Sequence, residues 1–268
     1  MATQKINTDF DSAENLDQIT QFEPQQKILF LPLWCDGKML LSPVQSWETI
    51  ENRWNVPLCD QNETKNCLIS AQKNFSVWNK KSPKERLDFL QKWLDLLSTD
   101  LYLQHFENNF FAEPQRKNLL KNFIENIQQQ INLNSHKQEI AENDGENICF
   151  LVADNSNYEL GEEQFFQDFA KVFVSQIFVA GKTLIINPSP NLSPLMLALM
   201  ELTSRTQPKF PDGVVNVLHG KGGVIKGIHK SFAEVKAAEN ENIKLQFEFI
   251  ANAKQKQHYL DLINKNSK

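Results

Sequence analysis

Polar residues without periodicity fill positions 1–25, and the hydrophobic pattern starts only after them. A mobile leader is expected there, because so little apolar surface cannot offset the entropy of ordering the chain. Residues 27–33 form a short apolar run, Cys35-Asp36-Gly37-Lys38 interrupts it, and residues 39–41 resume it. Asp-Gly between two apolar runs predicts a β-hairpin. Further on, Ser82-Pro83-Lys84-Glu85 reads as a capping box with proline at the first helical position. Leu87, Leu90, Leu94 and Leu97 follow at helical spacing and predict one buried stripe. Residues 101–145 continue as polar helix with apolar positions at Leu119, Leu120, Phe123, Ile127 and Ile131, and end in an Asn143-Asp144-Gly145 turn.

From there the periodicity alternates. Strands are predicted at 148–152, 183–186, 214–218 and 245–250, with helices at 165–179, 193–204 and 224–230 between them. Such alternation implies an α/β fold, a Rossmann-type parallel sheet with helices on both faces, preceded by the N-terminal hairpin and a helical layer. Several of the strands are continuous apolar runs, as strands buried on both faces are. In strand 245–250, Leu245, Phe247 and Phe249 alternate with Gln246, Glu248 and Ile250, which leaves one face apolar and the other partly solvated. The tail after it is polar but keeps Tyr259, Leu260 and Ile263, enough for a short amphipathic helix. The expected organisation is a leader over 1–25, hairpin and helical layer over 26–145, an α/β core over 146–253 and a tail over 254–268, all in one compact domain.

Composition narrows the function classes. Hydrophobic residues make up 41% and charged residues 23% of 268, a globular composition. A net charge of −5 with mixed signs gives no nucleic-acid footprint. The most apolar stretch, 165–179, contains Gln167, Asp168, Lys171 and Gln176 and is an amphipathic helix rather than a membrane span. Cys35, Cys59, Cys67 and Cys149 form no C-x-x-C pair and sit beside no histidine cluster, so free thiols are expected and neither zinc nor a disulfide framework. The N-terminus is neither a secretory signal nor an Arg-rich transit peptide. That favours the cytosol and leaves open a mitochondrial location reached by an uncleaved signal. The five histidines are dispersed, and no Ser-His-Asp set, P-loop or carboxylate pair is recognisable. Nine glycines are few for a chain with cofactor loops.

One stretch carries a resemblance. From Ala180 the chain reads AGKTLIINPSPNLSPLMLALMELTSRTQPKFPDGVVNVLHGKGG. Its order and spacing resemble the aldehyde dehydrogenase pattern A-G-N-T, K-P-S-E, T-P, a helix, then F-P-x-G-V-x-N and a Gly-x-Gly turn. Phe75, Trp78 and Arg86 resemble the family's F-x-x-W…R helix, where a packing role is expected. The resemblance implies the N-terminal, NAD-binding part of that fold. It also implies that the family's nucleophilic Cys and general-base Glu would lie beyond Lys268.

The cofactor positions are degenerate. Asn187 stands where the family has the ribose-binding Lys, and Pro190 where it has Glu; Asn187 is expected to give one hydrogen bond at most and Pro190 none. Ser189, Gly220 and Gly222 complete the candidate cofactor set. The Gly220-Lys221-Gly222-Gly223 turn has two readings, a backbone approach to phosphate or a tight strand-to-helix connection. Phe249-Ile250-Ala251-Asn252-Ala253 replaces the family's F-T-G-S, whose Gly and Ser touch the cofactor. The oxyanion Asn has two candidate remnants, Asn157 or, counting back from Gly181, Gln164, with Gly161–Gln164 read as an insertion. His219 is expected to be structural and Cys149 an inert buried thiol. No catalytic residue and no metal site is expected, and no cofactor beyond weak NAD. The expected function is a catalytically inactive structural subunit in a hetero-complex of protein subunits, with contacts around Phe247, Phe249 and the tail. The alternatives are an NAD(H)- or nucleotide-sensing module and the cofactor half of a split enzyme.

Overall fold

A computed structural model describes residues 28–42, 46–51, 53–113, 116–135, 147–156, 158, 161–220, 222–239 and 244–266. The leader over 1–25, the Asn143-Asp144-Gly145 turn and Asn157 lie outside the described residues.

The apolar run at 27–33 divides into two strands on either side of Pro32. β1 (Leu29–Phe30) pairs in parallel with β5 (Trp54–Pro57), which pairs antiparallel with β4 (Trp47–Ile50) in a small separate sheet. β2 (Leu33–Cys35) turns back on β3 (Lys38–Leu40) through Asp36 and Gly37, at φ +55° and +69°. Positive φ at both central residues is what a type I′ hairpin turn requires, and Asp-Gly supplies it at little strain. Asp36 also ties the turn down, its N–H donating to Asn216 at 3.1 Å and its carboxylate accepting from Ser70 at 3.0 Å.

Four helices follow: α1 (Gln61–Asn79), α2 (Pro83–Leu97), α3 (Asp100–Phe110) and α4 (Lys117–Asn134). α1 opens on an Asp60/Glu63 capping box and α2 on the Ser82/Glu85 box read from the sequence. Leu87, Leu90, Leu94 and Leu97 are all buried, as are Leu119, Leu120, Phe123, Ile127 and Ile131 on α4. Two buried indoles fasten this layer to the sheet region: Trp78 donates to the Ile177 carbonyl at 3.0 Å and Trp93 to that of Leu199 at 3.1 Å.

The α/β alternation is β6 (Ile148–Ala153), α5 (Gly161–Phe173), a π-helical turn (Val174–Val179), β7 (Thr183–Pro188), α6 (Ser193–Glu201), β8 (Val215–Val217), α7 (Gly222–Glu239), β9 (Leu245–Ile250) and α8 (Ala253–Asn266). The sheet order is β3-β2-β8-β7-β6-β9, with β8, β7, β6 and β9 parallel. The hairpin extends this parallel core, β2 pairing antiparallel with β8 at Trp34 and Val217. Cys149, Leu151, Ala153, Leu184, Ile186, Val215 and Val217 face the core shared with α2, α4, α5 and α6. Ile148, Phe150, Val152, Ile185 and Leu218 face the core beneath α1, α7 and α8. Layers on both faces bury β6, β7 and β8 completely, which explains their unbroken apolar runs.

Two helix boundaries and one small sheet differ most from the sequence reading. α5 starts at Gly161, so Gly161–Gln164 is its first turn and does not precede the helix; Glu162 and Glu163 there are favourable against the helix dipole. α7 runs on to Glu239 because its second half packs on α1, where Gln61 and Lys65 both reach Glu234, at 2.9 and 3.0 Å. The small β1-β5-β4 sheet had no reading at all.

Candidate functional site

β7 and β8 lie on one side of β6, and β9 on the other. The topological switch therefore falls between β6 and β9, and open α/β sheets take ligands in the crevice beyond the carboxyl ends of the strands at that point. Here β6 runs into Asp154, which is 5% exposed. Its backbone N–H donates to the Ile250 carbonyl at 2.8 Å. One carboxylate oxygen accepts from the Ser156 N–H at 2.9 Å, and the other accepts from the Tyr259 hydroxyl on α8 at 2.6 Å. Burial, reinforced by the Asp154 carboxylate, pushes the Tyr259 phenol well above its ordinary range. From the β9 side, the Asn252 amide donates to the Ser156 carbonyl at 3.3 Å. The same residue opens α8 reciprocally with Gln255, its Oδ1 accepting from the Gln255 N–H at 2.8 Å and its N–H donating to Gln255 Oε1 at 3.3 Å. The loops after β6 and β9 are thus laced to each other and to α8.

The sequence-derived cofactor residues sit at the same end of the sheet, one step across. Asn187, 3% exposed, is the penultimate residue of β7. Its amide nitrogen donates to the Leu218 carbonyl at 2.7 Å and to the Gly220 carbonyl at 2.8 Å, so both amide hydrogens hold the β8 exit. Ser189 donates from its backbone to the Ala153 carbonyl at 2.7 Å and from its hydroxyl to Asn155 at 3.3 Å. Pro190 opens a 3₁₀ turn, Pro190–Leu192. Gly220 has φ +136°, and a Cβ there would lie 2.8 Å from a Val224 methyl and 3.1 Å from the Cys59 nitrogen. The close approach this glycine permits is made by the chain's own backbone ahead of α1, where the Cys59 N–H donates to the His219 carbonyl at 3.3 Å. Gly222 is the first residue of α7.

The remaining candidates fall elsewhere. Gln164 lies on α5 with its amide on Asp168 at 3.1 Å, beside the Tyr158 hydroxyl that donates to the same carboxylate at 2.7 Å. His219 is fully buried, its Nε2 lying 3.0 Å from the Pro32 carbonyl. Burial pushes its imidazole down to about 4, the Pro32 bond opposing. Cys149 is buried within β6, and Cys35, Cys59 and Cys67 are buried too. Burial raises the Cys59 thiol above its ordinary value, with Glu63 adding to the effect. Among the described residues no group of three metal-ligating side chains occurs, and no helix is long and apolar enough to cross a membrane. Sequence reasoning missed the lacing set of Asp154, Ser156, Asn252 and Tyr259. Its one legible signal was an Asp directly after a continuous apolar strand.

No known family profile matches the sequence, and no curated protein sequence matches it. Solved structures do. A putative methylmalonate-semialdehyde dehydrogenase from Sinorhizobium meliloti, complexed with NAD, matches with a TM-score of 0.70 at 17% identity, over 91% of this chain and 50% of that one. Lactaldehyde dehydrogenase from Escherichia coli matches at 0.59 and 13% identity, over 83% and 52%. NADP-dependent glyceraldehyde-3-phosphate dehydrogenase from Bacillus halodurans, complexed with NADP, matches at 0.58 and 14%, over 82% and 53%. The fold is that of the aldehyde dehydrogenases. The chain spans about half the length of these structures, consistent with the N-terminal half of that fold.

Proposed function

We propose that this chain is a non-catalytic, aldehyde-dehydrogenase-like protein that serves as a structural subunit in a larger assembly of protein subunits. The observation that carries the reading is the lacing of the switch-point crevice by the chain's own groups. Asp154, Ser156, Asn252 and Tyr259 bond one another where an open α/β sheet takes its ligand. A dinucleotide's pyrophosphate would meet the Asp154 carboxylate there and would have to displace these bonds. The neighbouring donor, the Asn187 amide, is committed to two carbonyls, and the Gly220 approach is filled by the Cys59 backbone. The residues present therefore do not fit NAD, although two of the structural neighbours are complexed with NAD and NADP. A thiol nucleophile is equally unfavoured, since it must act as an accessible thiolate and the four cysteines are buried.

Each polar contact missing from a nucleotide site is worth about 0.5–3 kcal/mol. Three such losses weaken binding by about tenfold at the low end of that range and by about a hundredfold once each is worth about 1 kcal/mol. Calorimetry with NAD and NADP is expected to show no binding below about millimolar concentration, and a panel of aliphatic aldehydes and semialdehydes no enzyme-dependent cofactor reduction. Purification from the source after cross-linking is expected to yield a hetero-complex. A micromolar dissociation constant that is lost in Asn187→Ala would replace this reading with nucleotide sensing. Recovery of the chain free of any other subunit would remove the structural role.

A further inference from the structure

The two outer strands of the main sheet are protected very differently. β3 is three residues long, carries Lys38 and sits at the end of a tight hairpin, all of which discourage edge pairing. β9 is six residues long, Leu-Gln-Phe-Glu-Phe-Ile, with no Pro, Gly, Lys or bulge, and it pairs on one side only among the described residues. The carbonyls of Lys244 and Ile250 accept from Ile148 and Asp154, so the even-numbered residues of β9 turn their backbone groups toward β6. By strand alternation the N–H and C=O groups of Leu245, Phe247 and Phe249 point away from the sheet.

We propose that β9 pairs antiparallel with β9 of a second copy about a two-fold axis, joining the two main sheets into one. The strand is complementary to itself in the register centred on Phe247. With Phe247 opposite Phe247 of the second copy, Leu245 meets Phe249 and Gln246 meets Glu248, each twice. All outward backbone groups are then exchanged as hydrogen-bonded pairs. The side toward α7 and α8 becomes a continuous aromatic surface, built on Phe247, which packs edge-on to Phe150 and lies parallel to Phe249. The opposite side carries the charge complement. Lys182 donates to Gln246, and Glu248 accepts from Gln176 at 3.2 Å and from Gln246 at 2.7 Å. The register brings Glu248 of the second copy opposite Gln246 and toward Lys182. A shift by one residue would set Phe against Glu across the seam and is disfavoured. The pairing holds whether or not the crevice takes a nucleotide, and it leaves the outer faces of the helices to other subunits.

The test uses the full chain. Light scattering and sedimentation at about 50–100 µM, a range suited to a modest strand interface, are expected to give twice the 31.0 kDa chain mass, with dissociation on dilution. Residue-resolved hydrogen exchange is expected to protect the Leu245, Phe247 and Phe249 amides in the dimer and release them at least tenfold on dilution. Gln246→Glu sets carboxylates against each other across the seam and is expected to weaken the dimer at least tenfold. Adding Glu248→Gln exchanges the two partners and is expected to restore it. A monomer at 100 µM overturns the proposal. So does a dimer whose three amides exchange equally at every concentration, or a double variant that stays monomeric while folded by circular dichroism. Exchange on the unaltered chain decides the matter even if a variant misfolds.

Discussion

Arg86 is 1% exposed and spends its guanidinium on main-chain carbonyls, with Nε on Phe178 and Nη2 on Val179, both at 2.8 Å, and Nη1 on Asn79 and Lys81. It closes the end of the π-helical turn against α2, and Gly181 makes room for it, since a Cβ there would lie 2.8 Å from the guanidinium carbon. Burial lowers its ordinarily high value to about 10, with Glu85 opposing, so it stays charged at neutral pH. Arg86→Met is expected to cost about 3 kcal/mol or more in urea unfolding, because buried carbonyls lose their donors at about 1–3 kcal/mol each. Arg86→Lys is expected to recover only part, having no planar fork. The sequence pattern pointed to packing at this position but could not supply the whole carbonyl cage, two of whose four members are 92 and 93 residues away. His219 makes a second expectation at this scale. Its Nδ1 is buried without a hydrogen-bond partner among the described residues, and Nε2 serves the Pro32 carbonyl. The folded imidazole titrates near 4 and the unfolded one near 6.5, so between these values the unfolded chain binds more protons. Stability is therefore full above pH 6.5 and falls as the pH drops toward 4, by about 3 kcal/mol at 1.36 kcal/mol per unit. His219→Gln should flatten that part of the pH–stability curve measured in urea. An unchanged slope would mean that other groups set it.

At the scale of elements, α8 is what turns an open sheet end into a closed one. It was legible in the sequence as a short amphipathic helix from Tyr259, Leu260 and Ile263, and Ile263 is indeed buried beneath it. What could not be read was that Tyr259 turns its hydroxyl to Asp154, 105 residues earlier. A tyrosine at an apolar helical position is indistinguishable from packing until the fold sets a carboxylate beside it. Tyr259→Phe keeps the ring and removes one bond to a charged acceptor, worth about 1.5–3 kcal/mol. It is expected to loosen α8 locally, seen as faster amide exchange over 253–266 with the exchange of α2 unchanged. Equal acceleration in both helices would mean that the bond supports the whole molecule and not the crevice. The capping boxes show the opposite case. Ser82 and Glu85 are three residues apart, so the signal and the structure share one local segment. The start of α5 eluded the pattern because its first turn is polar on every side, and the length of α7 because its extra turns are stabilised by α1.

For the whole molecule, the central question is whether the hairpin and helical layer form a unit apart from the α/β core. Sequence periodicity separates them, since alternation begins only after residue 146, and nothing local records that β2 joins the main sheet. The long-range contacts argue for one unit. Trp34 sits in the strand that pairs with β8, and the Trp78 and Trp93 indoles donate to the Ile177 and Leu199 carbonyls. All five tryptophans, at positions 34, 47, 54, 78 and 93, fall on the N-terminal side of the α/β alternation. Their fluorescence therefore reports the hairpin, the small sheet and the first helices, whereas far-ultraviolet circular dichroism reports every helix and strand. Coincident transitions from two such probes are the mark of all-or-none unfolding. Urea curves from the two are expected to superimpose. The core around Trp78 explains why: Phe89, Phe178 and Phe210, drawn from α2, the π-helical turn and the loop before β8, meet its ring within 6.0 Å. That cluster cannot open on one side alone. A fluorescence transition that precedes the dichroism transition would show that the N-terminal layer folds separately and that its tryptophans are only docked onto the sheet.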